Sequence, residues 1–135
     1  MMHRDSLGHE DTISDGEVQW MTAGSGIQHE EQLPAAERLL GVQLWLNLPA
    51  KDKMVAPAYH HIKREDIPEV AIDGGKVRVL AGAFNGVQGF QGSYVPLDYY
   101  DVQLDAGKAA TIATDPARMT MVFTLLGLSL IHISE

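Results

Sequence analysis

Apolar residues recur at every second position in several stretches of the chain. In residues 42–48, Leu44, Leu46 and Leu48 share one parity, and Gln43, Trp45 and Asn47 share the other. Successive side chains of a strand point to opposite faces, so this pattern predicts a half-buried strand. Val77 and Val79 flank Arg78 in the same way, and Val102 and Leu104 alternate with Asp101, Gln103 and Asp105. Met119, Met121 and Phe123 alternate with Thr120, Val122 and Thr124. Ser14-Asp15-Gly16, Asp73-Gly74-Gly75 and Asp105-Ala106-Gly107 read as turns between strands. Helical spacing is confined to a turn near residues 35–39 and another near residues 63–67, which Pro68 ends. The expected class is all-β. A boundary is expected around residues 68–75, with one sheet system before it and a second run of strands from Lys76.

Composition narrows the picture. At 135 residues the chain has room for one ordinary domain or two small ones, and 45% hydrophobic with 21% charged residues is the balance of a globular protein. Thirteen glycines and six prolines favour short strands and turns. A formal net charge of -8, with no basic stripe, disfavours direct contact with nucleic acid. Cysteine is absent, which removes disulfides, thiol nucleophiles and thiolate metal sites. The polar start lacks the apolar core of a signal peptide, and no segment approaches the roughly 20 apolar residues that span a bilayer. A cytoplasmic protein without membrane partners is the expectation.

Of the six histidines, His29 is the best placed for chemistry. A glycine turn, Gly24-Ser25-Gly26, leads through Ile27 and Gln28 to His29-Glu30-Glu31. On a strand His29 and Glu31 project from one face, and an imidazole beside a carboxylate suits Fe, Mn, Ni or Zn. Two ligands do not hold a transition metal selectively, and taken as spacing alone His-x-Glu reads as a solvated polar strand. His60 and His61 are adjacent and would face opposite ways on a strand; a solvated loop is expected there. His3 and Asp5 share the one-residue spacing but sit in the polar entry segment, where capping or a surface position is expected. His9 lies beside Gly8 in a predicted turn, and no histidine occurs between Ile62 and Ile131. Ser6 and Ser25 lack the Gly-x-Ser-x-Gly elbow of a nucleophile, and Gly24-x-Gly26 lacks the third glycine and helix of a dinucleotide fingerprint.

Longer motifs carry a family resemblance. His3-Arg4-Asp5-Ser6-Leu7-Gly8, then Gly16-Glu17-Val18-Gln19-Trp20-Met21-Thr22-Ala23-Gly24-Ser25-Gly26-Ile27-Gln28-His29-Glu30-Glu31, resemble pirins. So do Gly41-Val42-Gln43-Leu44-Trp45-Leu46-Asn47-Leu48-Pro49, Lys53-Met54 and Pro57. The Gln-Trp-Met-Thr-Ala-Gly-x-Gly-Ile-x-His run is highly specific, and the likeness extends from about His3 to Gly127, weakening after Gly75. The resemblance implies two cupin β-sandwiches in tandem, with a metal, usually iron, in the first. It implies parts of both here: residues 1–68 from the first and 69–127 from the second. It places His29 and Glu31 in a site of three histidines and one glutamate. The remaining pair, a His-x-His element, would lie on the N-terminal side of the segment matching residues 3–8. An internal fragment whose reading frame continues upstream is therefore expected, with unpaired edges and uncovered apolar faces.

The implied activity is oxygenation of a flavonol-type, quercetin-like substrate, with Glu31 as a metal ligand that also accepts a substrate proton. A regulatory role is the alternative: a metal- and redox-dependent module that binds a protein partner, with oxygenation incidental and this fragment inert. Residues 128–135 stand apart. Leu128 and Leu130 lie on one parity and Ile131 and Ile133 on the other, and the octapeptide resembles the translation of a sequencing-library adapter.

Overall fold

The computed structural model describes residues 1–127, so the expectation for residues 128–135 lies outside the described residues. Among the described residues, ten strands and two single 3₁₀ turns make up the regular structure, and the fold is all-β. Met2–Asp5 (β1) pairs antiparallel with Glu10–Thr12 (β2) on one side and His29–Gln32 (β4) on the other. Val18–Thr22 (β3) pairs with Ala58–Ile62 (β5). Glu69–Ile72 (β6), Gly75–Ala81 (β7) and Tyr99–Leu104 (β10) form a three-stranded sheet with β7 in the centre. Ala83–Phe84 (β8) and Val87–Gln88 (β9) make a small hairpin.

The core follows the alternation predicted around Arg78. Val77 and Val79 are 0% exposed and pack with Phe84, with Val70, Ile72, Tyr100 and Ile112 against them. Arg78 points to the other face and is also buried, because its guanidinium is consumed by partners. Its Nη2 donates to the Gly16 carbonyl, its Nη1 donates to Asp101 Oδ2 at 3.2 Å, and its Nε lies 3.5 Å from Glu69 Oε1. Arg78 thus ties the turn before β3 to the central strand of the second sheet. Trp20 packs against Phe90 with ring centroids 5.0 Å apart, and His60 meets the same ring at 5.4 Å. No strand ladder among the described residues joins an element before Lys63 to one after Pro68.

Turn chemistry accounts for most of the corners. The Asp73-Gly74 turn joins β6 to β7 as expected, with Gly74 at φ +71. Asn85 and Gly86, both at positive φ, form the tight β8–β9 hairpin, a type I′ geometry for which Asn-Gly is the preferred pair. The turn expected near residues 63–67 is the 3₁₀ turn Arg64–Asp66. A second 3₁₀ turn, Ala50–Asp52, follows Pro49, whose φ of -54 is set by its ring.

Three expectations are overturned. Residues 42–48 form no strand, and Trp45 is 83% exposed. Residues 119–124 likewise form no strand, and Met119 and Phe123 are exposed. Alternation supplies a face to bury, but a strand also needs a ladder to take its backbone groups, and none among the described residues includes either stretch. The helical turn near residues 35–39 is absent too; that stretch is exposed throughout and has no packed face to hold it.

Candidate metal centre

The Gly24-Ser25-Gly26 turn delivers the chain from β3 into β4. Gly24 adopts φ +51, and a Cβ there would sit 2.1 Å from the Val55 carbonyl oxygen, so only glycine fits. The Ser25 N–H donates to that same carbonyl at 2.8 Å, which pins the turn. Ser25 therefore serves a turn, as its context predicts.

Antiparallel register then assembles one face of the β2–β1–β4 sheet. His29 is opposite Asp5, Glu31 is opposite His3, and His3 is in turn opposite Asp11. Residues directly opposite one another share a face, so Asp11, His3, Asp5, His29 and Glu31 all project together. Parity places His29 and Glu31 side by side, as the sequence predicts. Both are exposed on the edge strand. Among the described residues no group of three or more His, Asp or Glu side chains gathers around one point that could hold a metal.

His3 is the residue that sequence reasoning misplaced. It is 1% exposed, because β1 is the central strand of its sheet and Tyr59 from β5 covers it. The His3 and Tyr59 rings stack at 4.5 Å and 10°, and His3 stacks on His29 at 5.8 Å and 26°. His3 Nε2 lies 3.3 Å from Asp5 Oδ2, so that nitrogen carries the hydrogen and donates. His3 Nδ1 is buried with no hydrogen-bond partner. Asp5 does cap the following turn, accepting from the Leu7 and His9 N–H groups and from His9 Nδ1 at 2.8 Å. Loss of water around the Asp5 carboxyl pushes its pKa up. The bonds from His9, His3 and Leu7 together outweigh that effect and hold it at about 2.

His61 corrects another expectation. It lies on β5 rather than in a solvated loop, facing away from His60, and is half-buried. Its Nδ1 is 2.7 Å from Asp11 Oδ2 and its Nε2 is 3.0 Å from Glu17 Oε2. The Ser14 N–H chiefly, and His61 less so, hold Glu17 below the ordinary carboxylate range against the effect of its burial. The Tyr59 hydroxyl donates to Asp11 Oδ2 at 3.3 Å and accepts from Gln19 Nε2 at 3.2 Å. Burial, aided by the Asp11 charge, pushes the Tyr59 phenol up to about 12. A polar layer therefore links the face carrying His29 to the β3–β5 pair. The spacing of His3 and Asp5 was legible in sequence, but their register against β4 was not, since strand pairing is non-local.

An all-β chain with His-x-Glu on a strand that follows a glycine turn is what this geometry defines, and its solved structural neighbours place it in the cupin class. The Pirin family model matches residues 1–46. Mouse Pirin is 37% identical over 127 residues, covering 94% of this chain and 44% of its own length. A tomato pirin-like protein is 43% identical over 105 residues, covering 78% of this chain and 36% of its own. A solved structure of quercetin 2,3-dioxygenase from Acinetobacter baumannii superposes with a TM-score of 0.66 at 34% identity, covering 79% of this chain and 40% of that one. The chain belongs to the pirin family, and it spans less than half the length of these relatives.

Proposed function

We propose that the protein to which this chain corresponds is a metal-dependent dioxygenase acting on flavonol-type substrates, with His29 and Glu31 as two of its metal ligands. The observation that carries the reading is the common face of His29 and Glu31 on β4 in a pirin-family segment that superposes on a quercetin 2,3-dioxygenase. Imidazole and carboxylate donors two residues apart fit part of the coordination of iron or a similar divalent metal. The sequence contains no His-x-His pair, so on this reading the other ligands come from outside residues 1–127. When bound, the metal would supply Lewis acidity and a meeting point for hydroxy-ketone and dioxygen.

The side chains of this face then have separable tasks. His29 is a neutral nitrogen donor whose ring is held against His3. Glu31, solvent-facing and opposite His3, is free to accept a proton from a substrate hydroxyl at its carboxylate oxygen. Division of residues 1–68 and 69–127 between two cupin modules belongs to the same proposal, supported by the absence, among the described residues, of a strand ladder joining an element before Lys63 to one after Pro68. The test is flavonol consumption by the longer parent chain, with and without added Fe²⁺, alongside His29→Ala and Glu31→Gln. Metal-dependent turnover that both substitutions abolish is the expected result. Unchanged turnover in His29→Ala would overturn it. Metal-sensitive capture of a protein partner without any turnover would favour the regulatory alternative.

A further inference from the structure

Ligand binding by His29 and Glu31 does not explain why a histidine is buried beneath them. His3 occupies the central strand opposite Glu31, is 1% exposed, and leaves Nδ1 without a partner. A buried, unsatisfied polar atom is destabilising, and a phenylalanine would fill a similar space without that cost. The other ring nitrogen is not idle: Nε2 donates to the Asp5 carboxylate, which two backbone N–H groups and His9 hold in place. The His3 ring is therefore fixed in its plane by Asp5 and clamped from one side by Tyr59 at 4.5 Å. Its other contact is the His29 ring at 5.8 Å. A carboxylate that orients an imidazole beside a metal site is the usual means of setting ligand geometry, here acting one ring further out.

We propose that His3 is a positioning residue of the candidate metal centre. Anchored by Asp5, it fixes the orientation of the His29 ring. Its Nδ1 accepts a hydrogen bond from a water or hydroxyl group held beside His29 and Glu31. His3 is assigned no ligand role, because among the described residues it does not gather with His29 and Glu31 into a group that could hold an ion. The inference rests on the ligand role proposed for His29, so the experiment separates the two.

The histidine-labelled longer parent chain, which would carry the remaining ligands, is followed by imidazole ¹H–¹⁵N NMR, first metal-free and then during titration with Mn²⁺, whose paramagnetic broadening of the His29 signals reports binding. His3→Ala should shift the metal-free His29 signals and weaken Mn²⁺ binding by about 10- to 100-fold, the range for loss of an outer partner. Asp5→Asn should move both readouts in the same direction. His3→Phe keeps a ring under His29, so the metal-free shift should be small, yet Mn²⁺ binding should still fall. It also decides the question if circular dichroism shows His3→Ala unfolded. Mn²⁺ binding within about twofold of the parent in both His3 variants would overturn the proposal, given the losses expected for an outer partner. His29→Ala that leaves Mn²⁺ binding unchanged would instead remove the metal role of His29. The metal-free His29 signals would then still test the positioning by His3.

Discussion

Replacing Arg78 with methionine tests how the β6–β7–β10 sheet is fastened to the segment that leads into β3. Methionine keeps most of the unbranched stem and its packing, so the loss is confined to the guanidinium. That group donates to the Gly16 carbonyl and to Asp101, and touches Glu69. Hydrogen bonds from a charged donor contribute about 1.5–3 kcal/mol when buried. Gly16 is exposed and Asp101 and Glu69 are partly exposed, so all three acceptors recover water in the variant. The Gly16 bond then accounts for about 1.5 kcal/mol and the Asp101 bond for at most about 1, while the longer Glu69 contact adds little. Arg78→Met should therefore destabilise the chain by about 2 kcal/mol, and Arg78→Lys by about half as much, since an ammonium cannot reach three directions at once.

Urea unfolding followed by circular dichroism measures the loss, and amide exchange at Gly16 and Glu17 locates it. A cycle with Asp101→Asn should give a coupling of about 1 kcal/mol. A change below about 0.5 kcal/mol in Arg78→Met, the size of an ordinary surface substitution, would refute the view that this guanidinium fastens the two parts.

Three further outcomes are expected. Gly24→Ala meets both a positive φ and the Val55 carbonyl, and should lower stability by about 1–3 kcal/mol in thermal unfolding; an unchanged midpoint would mean the turn is not pinned as described. Asp5 is held at about 2, below its ordinary value of 3.8, so its contribution is complete above pH 4 to 5 and is lost as pH falls toward 2. Asp5→Asn should flatten the acid side of the stability profile in that window, and a profile parallel to the parent's would contradict the hydrogen bonds assigned to Asp5. Trp45 is exposed and Trp20 is packed against Phe90, so acrylamide should quench the Trp45 fraction readily, and Trp45→Phe should remove that fraction. Strong protection of Trp45 would show that residues 42–48 are covered after all.

Local signals were legible where the chain satisfies itself locally. The Asp73-Gly74 turn joins two neighbouring strands, and the parity of Val77 and Val79 is fixed by the sheet that β7 centres. Residues 42–48 and 119–124 carry an equally clean alternation and still fail to form strands among the described residues. The difference lies in pairing: β7 has a neighbour on each side, whereas among the described residues no ladder includes either of these stretches. Alternation predicts which side chains would be buried together, and says nothing of whether a partner strand is there.

The site divides along the same line. That His29 and Glu31 share a face follows from spacing two on a strand, which depends on β4 alone. The burial of His3 depends on three things that spacing cannot supply. β1 must take the central place in its sheet, its register must set His3 against Glu31, and Tyr59, 56 positions along, must close over it. A one-residue slip of β1 would turn His3 and Asp5 outward and bring Arg4 beneath His29, replacing an aromatic floor and an anchored carboxylate with a cation. A guanidinium under His29 would repel any metal ion bound there. The register that pairs Asp5 with His29 is therefore the feature on which the whole face depends, and it is fixed from outside the His-x-Glu motif: by the Asp5-capped turn into β2 and by the glycine turn that starts β4.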